Sequence, residues 1–350
     1  MLRCITNSMS NKETAYTVGS LFAGIGGICI GFRHAGCEIS WANEMDAAAC
    51  RTYRHNDKFL GDGTKLFESD IRKLFSPEKV DIITAGFPCQ PYSQAGGRMG
   101  LLDEKGRGRP MFAQLLRIVM GCEPRAVFLE NVSLLRTING GKTYDNMMRA
   151  LKHIGYEHIF PFILNSKDYG GVAQFRNRLY VVALKNKKDA DNFKKEMQLG
   201  IIPIPITETV SSIVNYEDIK APKYYYSEKN AKHYKRDFEK NVVLSGVVYH
   251  YRRTYMRENK SGLCPALTAS MGTGGHNVPI ILDKQGIRKL TPEECLGFQG
   301  FPDGYGFPES GDNIKYKQIG NSVTVPVVRM IASTIVKSLR NSDRATFEPN

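Results

Sequence analysis

The chain has 350 residues and 42% apolar content, enough for one large domain with a full-sized core and a smaller one beside it. Its formal net charge of +13 points to a polyanionic partner, and its apolar runs are expected to stay short of a membrane span. The eight cysteines form no C-x-x-C pair and no Cys/His cluster at metal spacing, which argues against structural zinc and for a reducing, intracellular setting.

Residues 1–15 read as a polar leader without the apolar stretch of a secretory signal, with Met9 as a second possible start. A strand over 16–21 then runs into Phe22-Ala23-Gly24-Ile25-Gly26-Gly27 and an amphipathic helix over 28–34. Strand, glycine-rich turn and helix form the entry to a nucleotide-type site, because glycines bring backbone N–H groups and the helix N-terminus against a ligand. The full G-x-G-x-x-G is missing, which argues against a dinucleotide. A second strand over 38–43 ends at Glu44, where an acidic side chain is placed to accept two ribose hydroxyls. Met45 stands next to it and Trp41 three residues before it. Ser69-Asp70-Ile71 precedes a helical pattern, so Asp70 alone reads equally as a helix N-cap.

The apolar run 80–85 reads as a buried strand that ends in Gly86-Phe87-Pro88-Cys89-Gln90-Pro91-Tyr92-Ser93. Open α/β sheets place reactive groups at such strand ends. Pro88 and Pro91 stiffen the turn, Gly86 allows close approach, and a Cys89 thiolate is a candidate nucleophile. Residues 94–110, including Arg98, form a basic glycine-rich loop suited to closing over a polyanion. A helix over 111–121 and an apolar strand over 124–128 follow, the strand ending at Leu129-Glu130-Asn131-Val132. Parallel strands bring their carboxyl ends together, so Glu130 is expected near Cys89, with a pKa raised by burial and a proton to donate. A helix over 144–154 precedes strands over 158–165 and 179–184, which flank Gln174-Phe175-Arg176-Asn177-Arg178. Arg176 and Arg178 alternate and are expected to point the same way. From Lys185 the composition turns polar and rich in Lys and Tyr until about residue 286, a mixture that suits a nucleic-acid surface. Residues 288–295 read as strand, turn and helix, with Thr291 as N-cap and Pro292 at the first helical position. A helix over 326–339 and a polar tail over 341–350 close the chain.

In this order, Phe-x-Gly-x-Gly-Gly, Pro-Cys-Gln, Glu-Asn-Val, Gln-x-Arg-x-Arg and Gly-Asn-Ser-Val resemble the blocks of the cytosine-C5 DNA methyltransferases, over roughly 16–185 and 286–340. The resemblance implies an α/β fold, a Rossmann-like sheet of the S-adenosylmethionine-dependent methyltransferase type. Residues 16–185 plus 310–340 would form the catalytic and cofactor-binding domain, and 186–309 a smaller, irregular target recognition domain with its hinge. Cys89, Glu130, Arg176 and Arg178 would carry the chemistry, one arginine fixing the cytosine carbonyl and the other a phosphate or Glu130. Phe22, Gly24, Gly26, Glu44, Met45, Asp70, Ile71, Pro88, Asn321 and Val323 would hold S-adenosyl-L-methionine, released as S-adenosyl-L-homocysteine. Double-stranded DNA would meet Gln90, Ser93 and Arg98 from the loop, and Arg252, Arg253, Arg257 and His276 from the recognition domain. The family's Thr-Leu pair shows here as Ala266-Leu267, so Ala266 is given no base contact. The implied enzyme is a cytoplasmic, nucleoid-associated monomer that methylates a flipped-out cytosine through a Cys89–C6 adduct. A cognate restriction endonuclease would act on the same site. A tRNA cytosine-5 methyltransferase and a non-catalytic DNA-binding protein on the same fold are the alternatives. The large recognition region argues against the first, and the intact Cys89, Glu130 and Arg176 set against the second.

Overall fold

The computed structural model of the chain describes residues 15–61, 63–88, 111–227, 235–252, 255–259, 261–273, 278–308 and 310–347. Five parallel strands come first: β1 (Thr17–Leu21), β2 (Glu38–Glu44), β3 (Lys65–Glu68), β4 (Ile82–Ala85) and β5 (Ala126–Val132). They are followed by β6 (His158–Asn165), the two-residue β7 (Gln174–Phe175) and β8 (Asn177–Leu184). The large sheet has the order β3-β2-β1-β4-β5-β8-β6, with β8 antiparallel to both its neighbours. The central strands read as unbroken apolar runs because helices cover both faces; β4 is buried at every position. Those helices include α1 (Gly27–His34), α2 (Ala47–His55), α3 (Asp57–Leu60), α4 (Met111–Cys122), α5 (Lys142–His153), α6 (Ser166–Tyr169) and α7 (Lys187–Gly200).

The first helix after the composition break at Lys185 lies against the large sheet. Helix α7 packs onto the large sheet: Phe193 is fully buried, its ring 5.0 Å from Phe160. Asp189 is paired with Arg125 at 2.8 Å. The lysines of α7 face solvent, and in composition they hide the one apolar face that places the helix.

The smaller part follows. It holds α8 (Val210–Ile213), α9 (Lys235–Asn241), β9 (Tyr249–Arg252), β10 (Tyr255–Glu258), β11 (Cys264–Pro265), β12 (Ile280–Leu282), β13 (Ile287–Lys289) and α10 (Pro292–Phe298). Four strands form an antiparallel sheet in the order β10-β9-β12-β13, and β11 pairs with β7 of the larger part. Its tyrosines divide between core and surface: Tyr255 on β10 is exposed. Tyr224, Tyr249 and Tyr251 are buried, and Tyr251 packs edge-on to Phe238 at 5.5 Å. A small sheet has few other large side chains with which to fill its core.

Two helices end the chain, α11 (Asp312–Asn321) and α12 (Val325–Phe347). Helix α12 continues past the expected end at 339 and lies against α1 and α7. The approach is close: a Cβ on Gly31 would stand 2.5 Å from Val328, and one on Gly200 2.6 Å from Thr334. Contrary to the expectation of short apolar runs, the stretch Asp312–Arg344 is long and apolar enough to cross a membrane by composition. Most of its apolar window is buried inside the protein, as in the core helix of a globular fold.

The turn from β13 into α10 is built on a buried ion cluster. Arg288, fully buried, meets Asp283 at 2.5 Å and Glu294 at 2.7 Å. Glu294 also completes a capping box with Thr291. Glu294→Ala is expected to lower unfolding free energy by about 3–5 kcal/mol, because it leaves a buried guanidinium half-paired. Urea denaturation of the full chain measures this.

Candidate active site

A cleft of about 520 Å³ opens at the carboxyl ends of β1, β2, β4 and β5. One wall is the turn after β1. Phe22 and Gly24 take the left-handed region at φ 54° and 56°, and Gly26 caps α1 at φ 84°. A Cβ on Gly26 would sit 2.5 Å from Leu60, so bulk as well as φ keeps glycine there. Glu44 at the end of β2 holds this turn in shape. One carboxylate oxygen accepts the Gly24 N–H at 2.9 Å, and the other accepts those of Met45 and Asp46 at 2.8 Å each. Met45 stands on the lip, 65% exposed. Trp41 does not reach the cleft: it is buried, stacked where a Gly19 side chain would be, and its indole N–H donates to the Glu78 carbonyl at 2.8 Å.

The opposite wall is Gly86-Phe87-Pro88 with the end of β5. The Asn131 side-chain amide donates to the Phe87 carbonyl at 3.0 Å and pins this segment. A Cβ on Gly86 would lie 3.3 Å from Ile28 and 3.8 Å from a Glu130 carboxylate oxygen. Cys89, Gln90, Ser93 and Arg98 lie outside the described residues.

Glu130 is almost fully buried and lines the same cleft as Pro88. Burial pushes its pKa up, against the opposing pull of Arg178 and Arg176. Arg178 Nε is 3.2 Å from Glu130 Oε1, a contact that is close but not aligned as a hydrogen bond. The two meet because β8 runs antiparallel: Arg178 pairs with Val132 and Tyr180 with Glu130, so the start of β8 lies at the end of β5. Arg176 lines the same cleft, and its Nε has no partner among the described residues, but its terminal nitrogens are engaged differently from its neighbour's. It is buried between β7 and β8, and its guanidinium donates to the carbonyls of Leu267, Gly320 and Ser322.

The third wall comes from the end of α11 and the turn after it, where Asn321 and Val323 line the cleft and Val323 packs against Gly27. Gly26, Asp70 and Ile71 are not among the described residues that line the cleft. Asp70 caps the short turn after it through the Arg72 N–H at 2.8 Å and pairs with the Arg72 side chain, while Ile71 is buried beside Leu74. Of the recognition residues, Arg257 is exposed on the edge strand β10, on the same face as Tyr255. Arg252 ends β9, but its side chain, like Arg253 and His276, lies outside the described residues.

The sequence reading missed the groups that close the cleft's rim. Asp46 caps α2 and also meets Lys317 of α11 at 3.0 Å, and beneath them Thr52 donates to Gln318 at 2.9 Å. An acidic residue just before a helical run signals the cap, but nothing local signals a partner at Lys317.

The model of the C-5 cytosine-specific DNA methylase family matches residues 16–337. The type II methyltransferase M.Bsp6I of Bacillus sp. (strain RFL6) is 42% identical over 325 residues, which cover 92% of this chain and 99% of that protein. M.HpaII of Haemophilus parainfluenzae is 32% identical, covering 95% and 93%. Among solved structures, a DNMT2 of Spodoptera frugiperda is similar with a TM-score of 0.68 at 20% identity, over 92% of this chain and 100% of that one. The Dnmt2 of S. pombe gives 0.68 at 18%, over 93% and 99%. At those identities the two structures speak for the fold alone, a methyltransferase sheet of the kind described above. The sequence match spans both the large sheet and the smaller part, and the chain belongs to the C-5 cytosine-specific DNA methylase family, as a DNA (cytosine-5-)-methyltransferase.

Proposed function

We propose that this enzyme methylates C5 of a cytosine flipped out of double-stranded DNA, with S-adenosyl-L-methionine as donor and a covalent Cys89–C6 adduct. Its role would be the modification half of a type II restriction system, acting as a cytoplasmic monomer on the site its endonuclease cuts. The observation that carries the reading is that a single cleft joins the glycine turn and Glu44 to Pro88, Glu130 and Arg178. Its volume suits a ligand of the donor's size. The residues also fit that ligand: the position a Gly24 side chain would fill is open space, and an acidic end to β2 stands beside it. Phe22, Gly24, Glu44, Met45, Pro88, Asn321 and Val323 would hold the donor, whose sulfonium supplies an electrophilic methyl group when bound. Asp70 would first have to release Arg72 to join them.

The protein's own groups account for the rest. The base must leave the stack, because C6 is out of reach within the duplex. The Cys89 thiolate adds to C6, and the C6–S bond makes C5 enamine-like and nucleophilic. Glu130, whose pKa burial raises, would donate toward N3 in its protonated form and offset the charge that develops on the ring. Arg178 stands beside it to orient the carboxyl group and the base carbonyl. Once C5 carries the methyl group, loss of the C5 proton to solvent expels Cys89 as thiolate, and N3 returns its proton to Glu130. Arg252, Arg253, Arg257 and His276 would read base edges, and Gln90, Ser93 and Arg98 would close over the opened strand.

Cys89→Ser is expected to abolish methyl transfer while duplex binding survives. A covalent complex with 5-fluorocytosine DNA should form with the wild type and fail to form with the mutant. Bisulfite sequencing of plasmid DNA after expression reads the product directly, and methylation of tRNA with none of plasmid would move the activity to RNA.

Glu44→Ala is expected to weaken donor binding by about 1–3 kcal/mol, the cost of orphaned hydroxyl and amide partners, measured by calorimetry.

The raised pKa of Glu130 sets a pH dependence. Folding favours its protonated form, so the stability it contributes is present below the ordinary glutamate value. That stability is lost as pH rises through the raised one. Methyl transfer should rise with Cys89 ionisation and fall as Glu130 loses its proton, giving a bell. Glu130→Gln should lose the falling limb and gain stability relative to wild type across the same window.

A further inference from the structure

We infer that Arg176 is a positioning residue: it clamps the recognition segment around Leu267 to the cleft-lining turn Gly320–Ser322 and does not itself meet the base. This rests on the donor-binding reading of the cleft given above. Arg176 is 1% exposed. One of its terminal nitrogens donates to the Leu267 carbonyl at 2.6 Å, and the other to the carbonyls of Gly320, at 3.2 Å, and Ser322. A guanidinium engaged in this way cannot turn toward a base without leaving three buried carbonyls to find new partners.

The surroundings are built for a clamp. Gln174, fully buried, accepts from the Leu267 N–H at 3.2 Å and donates to the Phe298 carbonyl at 2.7 Å. The two clamped segments touch through their backbones: a Cβ on Gly320 would lie 2.1 Å from the Thr268 carbonyl carbon. Gly320, Ser322 and Val323 in turn line the cleft, and a Cβ on Gly27 would meet Ser322 at 2.7 Å and Val323 at 3.0 Å. A shift of the Leu267 segment therefore has to move the cleft wall. Recognition of the DNA target and occupancy of the donor site are linked through these contacts, and linkage is reciprocal.

The test uses the full chain and S-adenosyl-L-homocysteine as probe, with and without a duplex carrying the methylated target. Arg176→Lys keeps a cation but loses the fork. Its affinity for the probe in the absence of DNA should fall at least about fivefold, and the mutual enhancement of probe and duplex binding, on the order of tenfold in the wild type, should fall toward one. Gly320→Ala disturbs the same contact from its other side and should show the same pair of losses. Both are measured on the folded, monodisperse fraction, so that if one variant folds poorly the other still decides. The inference is overturned if either folded variant keeps wild-type probe affinity and wild-type linkage. Collapse of single-turnover methyl transfer in such an Arg176→Lys protein would make Arg176 a base contact instead. A wild type that fails to bind the probe would refute the donor-site reading, a result distinct from either.

Discussion

Strand β8 runs against β5, and the placing of the two arginines near Glu130 follows from that reversal. Had the sheet stayed parallel to its end, the Gln-x-Arg-x-Arg segment would enter it on the side remote from the cleft. Reversed, it delivers Arg178 to within 3.2 Å of Glu130 and leaves Arg176 beside the end of α11 at Gly320. The reversed strand also pairs with β6 along its whole length, so the hydrogen-bond ladder that fixes the arginines is supported from both sides.

Two buried arginines show how differently the fold neutralises a charge. Arg288 meets two carboxylates and is held firmly protonated, its hydrogen bonds outweighing the effect of burial. Arg176 has main-chain carbonyl dipoles for its hydrogen bonds, and burial together with the nearby Arg178 pushes its pKa down to about 9. The first arrangement stabilises a hinge-like turn inside one part of the molecule. The second joins segments that are far apart in the chain, and so is sensitive to where those segments stand.

The frame of the candidate site was legible because the cleft opens at strand ends, and strand ends can be read from apolar runs. The run before Gly86 and the run before Glu130 are adjacent parallel strands, and Ala85 pairs with Leu129 in register. The strand over 158–165 was placed to the residue. What the sequence concealed were contacts that no local pattern encodes. Lys317 and Asp46 meet only after the last helices return to the first strands. The break in composition at Lys185 reflected a solvated helix face, and α7 itself belongs to the large sheet. Tyr249 and Tyr251 looked like a nucleic-acid surface because composition records side-chain type but not the face it takes.

The chain holds a single tryptophan, and the fold places it in the layer behind β1 with 1% of its surface exposed. Trp41 lies against Gly19 and donates to the Glu78 carbonyl, so its surroundings are the first two strands and the segment leading into β4. Its emission is therefore a built-in optical gauge of the large sheet. Because the indole is screened from solvent and from the cleft, its wavelength should follow the integrity of that layer during unfolding and stay nearly constant as the cleft fills and empties.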